Sequence, residues 1–265
     1  MDTTSVAPQS DRPPVLQVDG LGFQYPNGHP ALRDISFALQ PGEVVGLLGA
    51  NGAGKTTLML HLNGLLPGSG TPQTGSIRVQ GHPVQAENYR LIRRLVGFLF
   101  QDPDDQLFCP TVIEDVAFGP LNLGLDPSEV RDRVTTALQS VGLSGFEDRH
   151  THQLSFGERK RVALAGILAC HPEILILDEP SSNLDARARR RFMEILKECK
   201  AAQLIASHDL DLIVEHCSRV IILDQGRVQA QGPAREILAN ATLLSRYGLE
   251  VPLSLQLEKL TSPQG

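Results

Sequence analysis

The 265-residue sequence has no apolar run long enough to cross a membrane. Its longest run, Val162 to Cys170, has nine residues, whereas a membrane-spanning helix needs about 20. The first residues, MDTTSVAPQSDRPP, also lack the apolar core of a secretion signal. We therefore expect a chain that neither spans a membrane by itself nor carries such a signal.

Cysteine pairs and a surplus of basic residues are missing too. The four cysteines are scattered without a CxxC pair, a usage typical of reduced thiols in a cytosolic protein. The chain has 24 Lys and Arg against 30 Asp and Glu, so its net charge is −6. This mild acidity argues against nucleic-acid binding over much of the surface. The hydrophobic content of 41% is ordinary for a globular protein.

Strand and helix patterns alternate through most of the chain, which predicts an α/β fold. VLQVDGLGFQY and ALRDISFALQ have the alternation of half-buried strands, and PGEVVGLLGA predicts a strand in the centre of a parallel sheet. KTTLMLHLNGLL and SEVRDRVTTALQSVGL predict helices, the second with Ser128 as its N-cap. The expected segments are a disordered N-terminus (1–14), a core with a glycine-rich loop (15–100), a helical subdomain (101–165), the second part of the core (166–233) and a C-terminal helical extension with a polar tail (234–265).

A glycine-rich segment between a predicted strand and a predicted helix is a candidate phosphate-binding loop. It matches the pattern GxxxxGK[ST], in which backbone N–H groups and a helix N-terminus hold phosphates. Lys55 would reach the β and γ phosphates of a nucleotide, and the Thr56 hydroxyl would bind Mg²⁺. The predicted nucleotide-binding residues are Gly49, Ala50, Asn51, Gly52, Ala53, Gly54, Lys55, Thr56 and Thr57.

An acidic pair follows an apolar run in ILILDEP. The run predicts a buried strand whose C-terminal end carries Asp178 and Glu179, the edge at which open α/β sheets bind ligands. We expect Asp178 to hold Mg²⁺ through water and Glu179 to polarise the water that attacks the phosphate. With the glycine-rich loop, this pattern fits kinases, GTPases and many ATPases.

A third motif, LSFGERKRVALA, begins at Leu154 and leads from a small-residue loop into a strongly helical run. The N-terminus of such a helix favours an anion. The basic run from Arg159 to Arg161 fits either an ordinary solvated helix face or a direct role.

Taken in chain order, GANGAGKT, Gln101, LSFGE, ILILDEP, SNLD and SHD resemble the motifs of the ATP-binding cassette family, from Tyr25 to about Asp224. The resemblance implies a P-loop fold with a RecA-like core, an N-terminal antiparallel β portion and an inserted helical subdomain. It also implies hydrolysis of ATP with Mg²⁺. LSFGE resembles the family signature LSGGQ, which caps the nucleotide on the P-loop of a second subunit in a head-to-tail dimer. A homodimer is expected, and the residues facing the partner's ATP would be Leu154, Ser155, Phe156, Gly157, Glu158 and Asp185.

The resemblance implies three further roles. Tyr25 would stack on adenine, with a core tyrosine at a strand end as the alternative. Gln101 would sense Mg²⁺ and link the site to the helical subdomain, and His208 would contact the γ-phosphate. We expect His150 and His152 to be solvated rather than to form a metal pair.

QDPDDQLF and PTVIEDVAFGPLNLGL resemble the ATPases of energy-coupling-factor importers, and most of all the cobalt or nickel branch. A vitamin importer of the same type is the alternative. Such a subunit would lie peripherally at the cytoplasmic face of the cell membrane, beneath an integral membrane scaffold protein that works with a cargo-binding membrane component. The expected scaffold contacts are Asp102, Asp104, Asp105, Gln106, Leu107 and Phe108.

Two other functions share these motifs. ATPases of DNA repair and chromosome structure separate the P-loop from the signature by long coiled coils or zinc modules, whereas Lys55 and Leu154 are only 99 positions apart. Translation-associated factors carry two cassettes in one chain, and this sequence has one. We therefore expect no nucleic-acid partner.

Overall fold

A computed structural model describes residues 13–67 and 73–261. These residues form two compact units, one made of the described residues up to Ile92 and from Ala202 onward, and one from Arg93 to Ala201. Most of the predicted disordered N-terminus, residues 1–12, lies outside the described residues, as do residues 262–265 of the predicted tail.

The strands are β1 (Leu16–Gln24), β2 (Pro30–Leu39), β3 (Val44–Leu48), β4 (Gln73–Val79), β5 (His82–Pro83), β6 (Val96–Leu99), β7 (Ile174–Asp178), β8 (Ala202–Ala206), β9 (Arg219–Asp224) and β10 (Arg227–Pro233). The helices are α1 (Lys55–Leu62), α2 (Tyr89–Leu95), α3 (Val112–Asn122), α4 (Pro127–Ser140), α5 (Phe156–Leu168), α6 (Ala186–Glu198), α7 (Leu210–His216), α8 (Ala234–Leu238), α9 (Ala241–Arg246) and α10 (Leu253–Thr261). In the described part of the chain, no helix has the length and apolar character needed to span a bilayer.

The first unit contains an antiparallel sheet with the strand order β2-β1-β4-β5. The interior strand β1 buries Leu16 and Val18 and, after a shift in register, Leu21 and Phe23. Within each part every second residue is buried, the pattern of a half-buried strand. The expected N-terminal antiparallel β portion is confirmed.

The same unit contains a parallel arrangement around β3. This strand pairs in parallel with both β8 and β9, with Leu47 opposite Ala206 and Ile221. Four of its five residues are buried, because a central parallel strand is covered on both faces. Its predicted position is therefore correct.

A β-hairpin in the first unit was not predicted from the sequence. β10 pairs antiparallel with β9 through the two-residue turn Gln225-Gly226, and both turn residues have positive φ, 46° and 73°. Positive φ at both central positions is the geometry that suits the twist of a two-residue hairpin. The Gln-Gly pair is a weaker sequence signal for this turn than Asn-Gly.

Two helix boundaries and one additional helix differ from the sequence expectations. α4 is capped by Asp126, whose carboxylate accepts from Ser128 N at 2.9 Å, so Ser128 lies inside the helix. α1 ends at Leu62 because Asn63 and Gly64 follow, the latter at φ 71°. The supposed polar tail contains α10, whose Ser254 donates from N and Oγ to Asp211.

The second unit joins a parallel strand pair to three helices. β6 and β7 pair with Leu99 opposite Leu177. α3, α4 and α5 contact one another, and α5 also contacts β6. The expected boundary of the helical subdomain at residue 165 falls inside α5, a continuous helix that buries Val162, Ala163 and Leu164.

Candidate functional site

The phosphate-binding loop in the first unit connects β3 to α1. Gly49 has φ 149°, and an added Cβ would lie 2.1 Å from the Leu223 carbonyl oxygen. Gly54 has φ 104° at the start of α1, with an added Cβ 2.8 Å from the Ala31 carbonyl oxygen. Only glycine fits at these two positions, because a side chain would collide with backbone and strain the left-handed conformation. The loop can therefore bring its amides close to an anion.

Lys55 carries the positive charge of this loop. It is buried, and its Nζ donates to the carbonyls of Gly49 at 2.7 Å and Ala50 at 3.1 Å. The ammonium is thereby held against the loop, while Asn51 and Thr56 are exposed. This combination of a fixed cation, loop amides and a helix N-terminus suits a phosphate group.

Tyr25 lies beside the phosphate-binding loop in the same unit. Its hydroxyl is 2.9 Å from Thr57 Oγ1, and its ring meets Phe23 edge-on at a centroid distance of 5.0 Å. The side chain is only half-buried, unlike Phe23, so it is not a core tyrosine. The Tyr25 ring, next to α1, is thus available for stacking.

His208 follows β8 at the edge where the phosphate-binding loop follows β3. These strands are parallel neighbours with Leu47 opposite Ala206, so both segments leave the same edge of the arrangement. His208 is exposed, and the turn beside it is fixed by Asp209 N donating to Ser207 Oγ at 3.1 Å. The contrasting pair His150 and His152 is exposed in the second unit, with ring centroids 5.3 Å apart.

In the second unit, two polar segments leave the common edge of β6 and β7. Gln101 follows β6, while Asp178 and Glu179 stand at the end of β7 after four fully buried apolar residues. Asp178 and Glu179 are half-buried and Gln101 is exposed. Glu179 has φ 46°, a left-handed conformation that is uncommon for a side chain of this size.

The signature loop starts α5 with a reciprocal cap. Ser155 donates to Glu158 Oε2 from its backbone N at 2.8 Å and from its hydroxyl at 2.7 Å, and Glu158 N donates back to Ser155 Oγ at 3.3 Å. These bonds, led by that from the Ser155 hydroxyl, lower the pKa of the Glu158 carboxyl below its ordinary value. Ser155 and Glu158 therefore form a capping box, which the S-x-x-E spacing carries in the sequence. The motif was interpreted there only as a variant of a family signature.

The lowered pKa predicts a small pH effect at Glu158. Glu158→Gln can keep the capping acceptor but loses the charge that favours the helix N-terminus, so we expect the Tm at pH 7 to fall by about 1–4 °C. A lowered folded-state pKa contributes stability that is complete above the ordinary value of 4.5 and is lost as the pH falls through the folded-state value. The difference in Tm between the two proteins should therefore shrink in thermal unfolding scans as the pH falls below 4.5.

Glu236→Gln is the matched control, because Glu236 is an exposed glutamate in the first turn of α8. It should show a smaller difference from the wild type. A Glu158→Gln difference that persists unchanged at pH 3 would contradict the assignment of this stability to the carboxylate.

The loop before α6 lies next to the signature loop within the second unit. Asp185 caps α6 by accepting from Arg187 N at 2.9 Å and Ala188 N at 2.8 Å, bonds that lower the pKa of its carboxyl. Both caps border a pocket of about 510 Å³. Sequence reasoning did not identify the four arginines of its lining, Arg161, Arg187, Arg190 and Arg191, which outnumber the carboxylates of Glu158, Asp185 and Glu194 there.

An acidic turn follows Gln101 in the second unit. Asp102 caps a single 3₁₀ turn, Pro103–Asp105, and accepts from Asp104 N at 3.0 Å, as the Asp-Pro pair predicts. Asp104 also pairs with Arg159 Nε at 2.9 Å. Asp105 is exposed beside them.

Of the residues after this turn, Gln106 makes hydrogen bonds inside the unit and Phe108 is exposed on its surface. Gln106 accepts from Phe100 N and donates to the Ala163 carbonyl, both at 3.3 Å, so its amide holds the unit together. Phe108 is 65% exposed and contacts Phe118 edge-on at 4.7 Å. Leu121, one turn further along α3, is 55% exposed. Phe108, Phe118 and Leu121 are called the apolar patch below.

The residues predicted to hold or sense Mg²⁺ are divided between the units, with Thr56 in the first and Gln101 and Asp178 in the second. No cluster of three or more metal-binding side chains occurs within residues 13–67 and 73–261. Mg²⁺ bound to a nucleotide typically takes one or two protein oxygen ligands and completes its shell with phosphates and water. The Thr56 hydroxyl and the Asp178 carboxylate are hard oxygen donors of that kind.

Comparison with known proteins gives the family and its members. The family model described as ABC transporter matches residues 32–182. A protein of Gloeobacter violaceus, whose name describes it only provisionally as an ABC transporter ATP-binding protein, is 54% identical over 91% of this chain and 98% of its own. The energy-coupling factor transporter ATP-binding protein EcfA of Methanothermobacter thermautotrophicus is 46% identical over 92% of this chain and 78% of its own.

Solved structures agree with the fold. The structure of cbiO1 from Clostridium perfringens, described as part of the ABC transporter complex cbiONQ, has a TM-score of 0.77 and 37% identity. It covers 93% of this chain and 99% of its own. A dimeric ATP-binding cassette bound to ADP and Pi has a TM-score of 0.73 at 24% identity, covers 83% of this chain and 98% of its own, and supports the fold alone.

Proposed function

This chain belongs to the ABC transporter family and is the ATPase subunit of such a transporter, and we propose that it energises an importer of cobalt or nickel ions. The proposal includes a dimer of this subunit that works with membrane components, and it is supported by the description of cbiO1 as part of a transporter complex. The energy-coupling-factor type is supported by the relatives named EcfA and by the structural likeness to a component of cbiONQ. The choice of cobalt or nickel as the cargo rests on the resemblance of the acidic turn and α3 to the cobalt or nickel branch. An importer of a vitamin is the second candidate.

The proposed chemistry assigns each motif one task. The P-loop and Lys55 hold the phosphates of ATP while Tyr25 stacks on adenine. Thr56, Asp178 and Gln101 would hold or sense Mg²⁺, which supplies charge neutralisation at the β and γ phosphates. Glu179 accepts a proton from the attacking water, and His208 contacts the γ-phosphate.

The partner subunit completes the proposed site. The signature loop of a second, identical chain faces the γ-phosphate with its Ser155 hydroxyl and the amides around Gly157. The cationic pocket between α5 and the loop before α6 supports this assignment, because it combines a helix N-terminus with arginines. Asp185 lies on the loop that we propose crosses the dimer interface.

The apolar patch is the observation that carries the importer proposal. Exposed aromatic and aliphatic side chains grouped on one surface mark an interaction site. Phe108 follows the acidic turn in the chain and contacts Phe118 on α3, where Leu121 is also exposed. We propose that a membrane scaffold protein docks there, with an arginine opposite Asp105. The subunit would then lie peripherally at the cytoplasmic face of the cell membrane. The proposed contacts are Asp102, Asp104, Asp105, Gln106, Leu107 and Phe108. Asp102, Asp104, Asp105 and Phe108 are exposed, while the Gln106 amide bonds within the unit.

The cargo is tested by reconstitution. The chain should co-purify in mild detergent with an integral membrane scaffold and a cargo-binding membrane protein. The assembly is then reconstituted into vesicles with the ATPase subunit and ATP on the inside, and these should take up radioactive Co²⁺ or Ni²⁺. Uptake of a vitamin with no uptake of either ion would replace the proposed cargo. Failure to co-purify with any membrane protein would remove the importer proposal itself.

Coupling is tested with Asp105→Lys and Phe108→Ala. Each should leave ATP hydrolysis by the isolated subunit near the wild-type rate and lower ATP-driven uptake by the reconstituted importer. An exposed ion pair alone contributes about 0–1 kcal/mol, so the charge reversal, which creates repulsion, is expected to have the larger effect. Rates of ATP hydrolysis and of cargo uptake are measured on the same preparations.

Leu260→Ala is the control for this test, because Leu260 is 81% exposed on α10 in the other unit. It should leave uptake unchanged. Wild-type uptake by the Asp105→Lys, Phe108→Ala double variant would mean that the coupling surface lies elsewhere.

A further inference from the structure

Lys160 is a fully buried lysine in the second turn of α5. A buried ammonium is costly unless hydrogen bonds replace its water. Its Nζ donates to the Glu179 carbonyl oxygen at 2.9 Å, and to Ser182 Oγ at 3.2 Å and the Ser182 carbonyl oxygen at 3.4 Å. These three acceptors lie in the turn that follows β7. The Lys160 ammonium thus donates its hydrogen bonds to this turn rather than to water.

The turn presents Glu179 in an unusual conformation. Glu179 has φ 46°, and its carbonyl oxygen also accepts from Ser182 N at 3.1 Å and from Ser182 Oγ at 2.8 Å. Three donors therefore converge on one carbonyl oxygen. Left-handed residues other than glycine persist where surrounding contacts fix them, and they concentrate at functional sites. Fixing this peptide plane fixes the direction in which the Glu179 side chain leaves the backbone.

Electrostatics agree with a charged lysine at this position. Burial lowers the pKa of Lys160 to about 8, and the carboxylates of Glu179, Asp102 and Asp178 oppose that shift. The Phe156 ring lies 5.6 Å from Nζ on the preceding turn of the same helix. At neutral pH the group keeps its proton and its three N–H donors.

We propose that Lys160 is a positioning residue for ATP hydrolysis, which holds the Glu179 turn so that the carboxylate points at the attacking water. This inference rests on the proposed role of Glu179 as the base. It also gives α5 a second task, because Ser155 begins the helix that carries Lys160, and five residues of helix span about 7.5 Å. One rigid helix thus connects the loop proposed to face the partner's ATP with the base in its own subunit.

Lys160→Met is the principal test. Methionine has similar length, and the Glu179 carbonyl oxygen keeps its two donors from Ser182, so the variant should still fold, with a Tm lowered by the loss of the buried hydrogen bonds of Lys160. Misplacement of a catalytic group by about 1 Å can cost about 10²-fold in rate. We therefore expect kcat to fall by about 10–100-fold while KM for ATP and ATP binding by the isolated subunit change by less than about threefold. The kcat of Lys160→Gln, which retains an N–H donor, should lie between those of the wild type and Lys160→Met.

The Glu179→Gln background separates positioning from a general structural role. A residue that acts only through Glu179 has nothing left to position there, so Lys160→Met should cause no further fall in the double variant. A further fall of 10-fold or more, or a loss of ATP binding, would overturn the inference in favour of a structural role. Lys200→Met, at an exposed lysine in the same unit, should keep the wild-type kcat.

Two additional outcomes are decisive. Wild-type kcat in folded Lys160→Met overturns the inference even when Glu179→Gln is slow, whereas near-normal turnover by Glu179→Gln removes the base assignment on which it rests. If Lys160→Met does not fold, Ser182→Ala takes its place, because it removes the hydroxyl that contacts both Lys160 and Glu179. A lower kcat at unchanged KM in Ser182→Ala supports the inference, and an unchanged kcat overturns it.

Discussion

Glu179→Gln is expected to bind ATP normally and to hydrolyse it about 10²–10⁴-fold more slowly than the wild type, the usual cost of losing a general base. The amide has nearly the size of the carboxylate but cannot accept the proton of the attacking water. Since Glu179 follows β7 and the buried apolar part of that strand is Ile174 to Leu177, the substitution leaves the strand intact. Turnover is measured with the purified subunit, and ATP binding by equilibrium titration.

We further propose that hydrolysis of ATP opens the dimer, so the same variant should accumulate as an ATP-bound dimer. Size-exclusion chromatography with and without ATP measures this species. Glu173→Gln is a suitable control, since Glu173 is exposed on the segment that leads into β7 and should retain wild-type turnover. Near-normal turnover by Glu179→Gln would remove Glu179 from the mechanism.

The local parts of the candidate site could be predicted from the sequence. The phosphate-binding loop is a short segment whose glycines are required by backbone conformation and close approach, at Gly49 and Gly54. The strand before it is apolar throughout, and it lies between two parallel strands as expected. The fold of the matched family confirms the expected P-loop architecture. Such features depend on residues close together in the sequence, and so the sequence alone predicts them.

The burial of Lys160 was not predicted, although a signal was present. The basic run was open to interpretation as a solvated helix face, and that interpretation is wrong for Lys160. Phe156, Lys160, Ala163 and Ile167 recur at helical spacing and lie on one face of α5. A charged residue inside an apolar stripe indicates a buried partner, but the sequence does not show which turn of the chain supplies it.

Helix caps and contacts between residues far apart in the sequence were harder still to predict. Ser128 and Asp126 are both good caps, and the choice depends on whether the helix begins at Pro127, which suits the first helical position. The Asp104–Arg159 pair joins residues 55 positions apart, so no local pattern contains it. The apolar patch likewise depends on α3 bringing Phe118 against Phe108.

Mixing two inactive variants should restore activity if Ser155 acts on the nucleotide of the partner subunit. Lys55→Ala removes the cation of the phosphate-binding loop, and Ser155→Arg removes the cap of α5 and places a cation at a helix N-terminus, which is unfavourable. Each variant alone should hydrolyse ATP at the background rate. In a mixed dimer both lesions fall on one composite site, and the other site is intact. With random pairing, activity should return to at most about one quarter of the wild-type value, because about half of the dimers carry one working site of two.

The control for this experiment pairs Lys55→Ala with Glu179→Gln. Both residues are proposed to serve the nucleotide bound by their own chain, so every dimer in that mixture has two damaged sites and no activity should return. Recovery in the first mixture and none in the second therefore identifies Ser155 as a residue that acts in trans. The opposite conclusion follows if Ser155→Arg abolishes ATP binding by the isolated monomer while its Tm stays within a few degrees of the wild type. That result would assign Ser155 to its own chain's nucleotide, and the cationic pocket beside it would then need a different ligand.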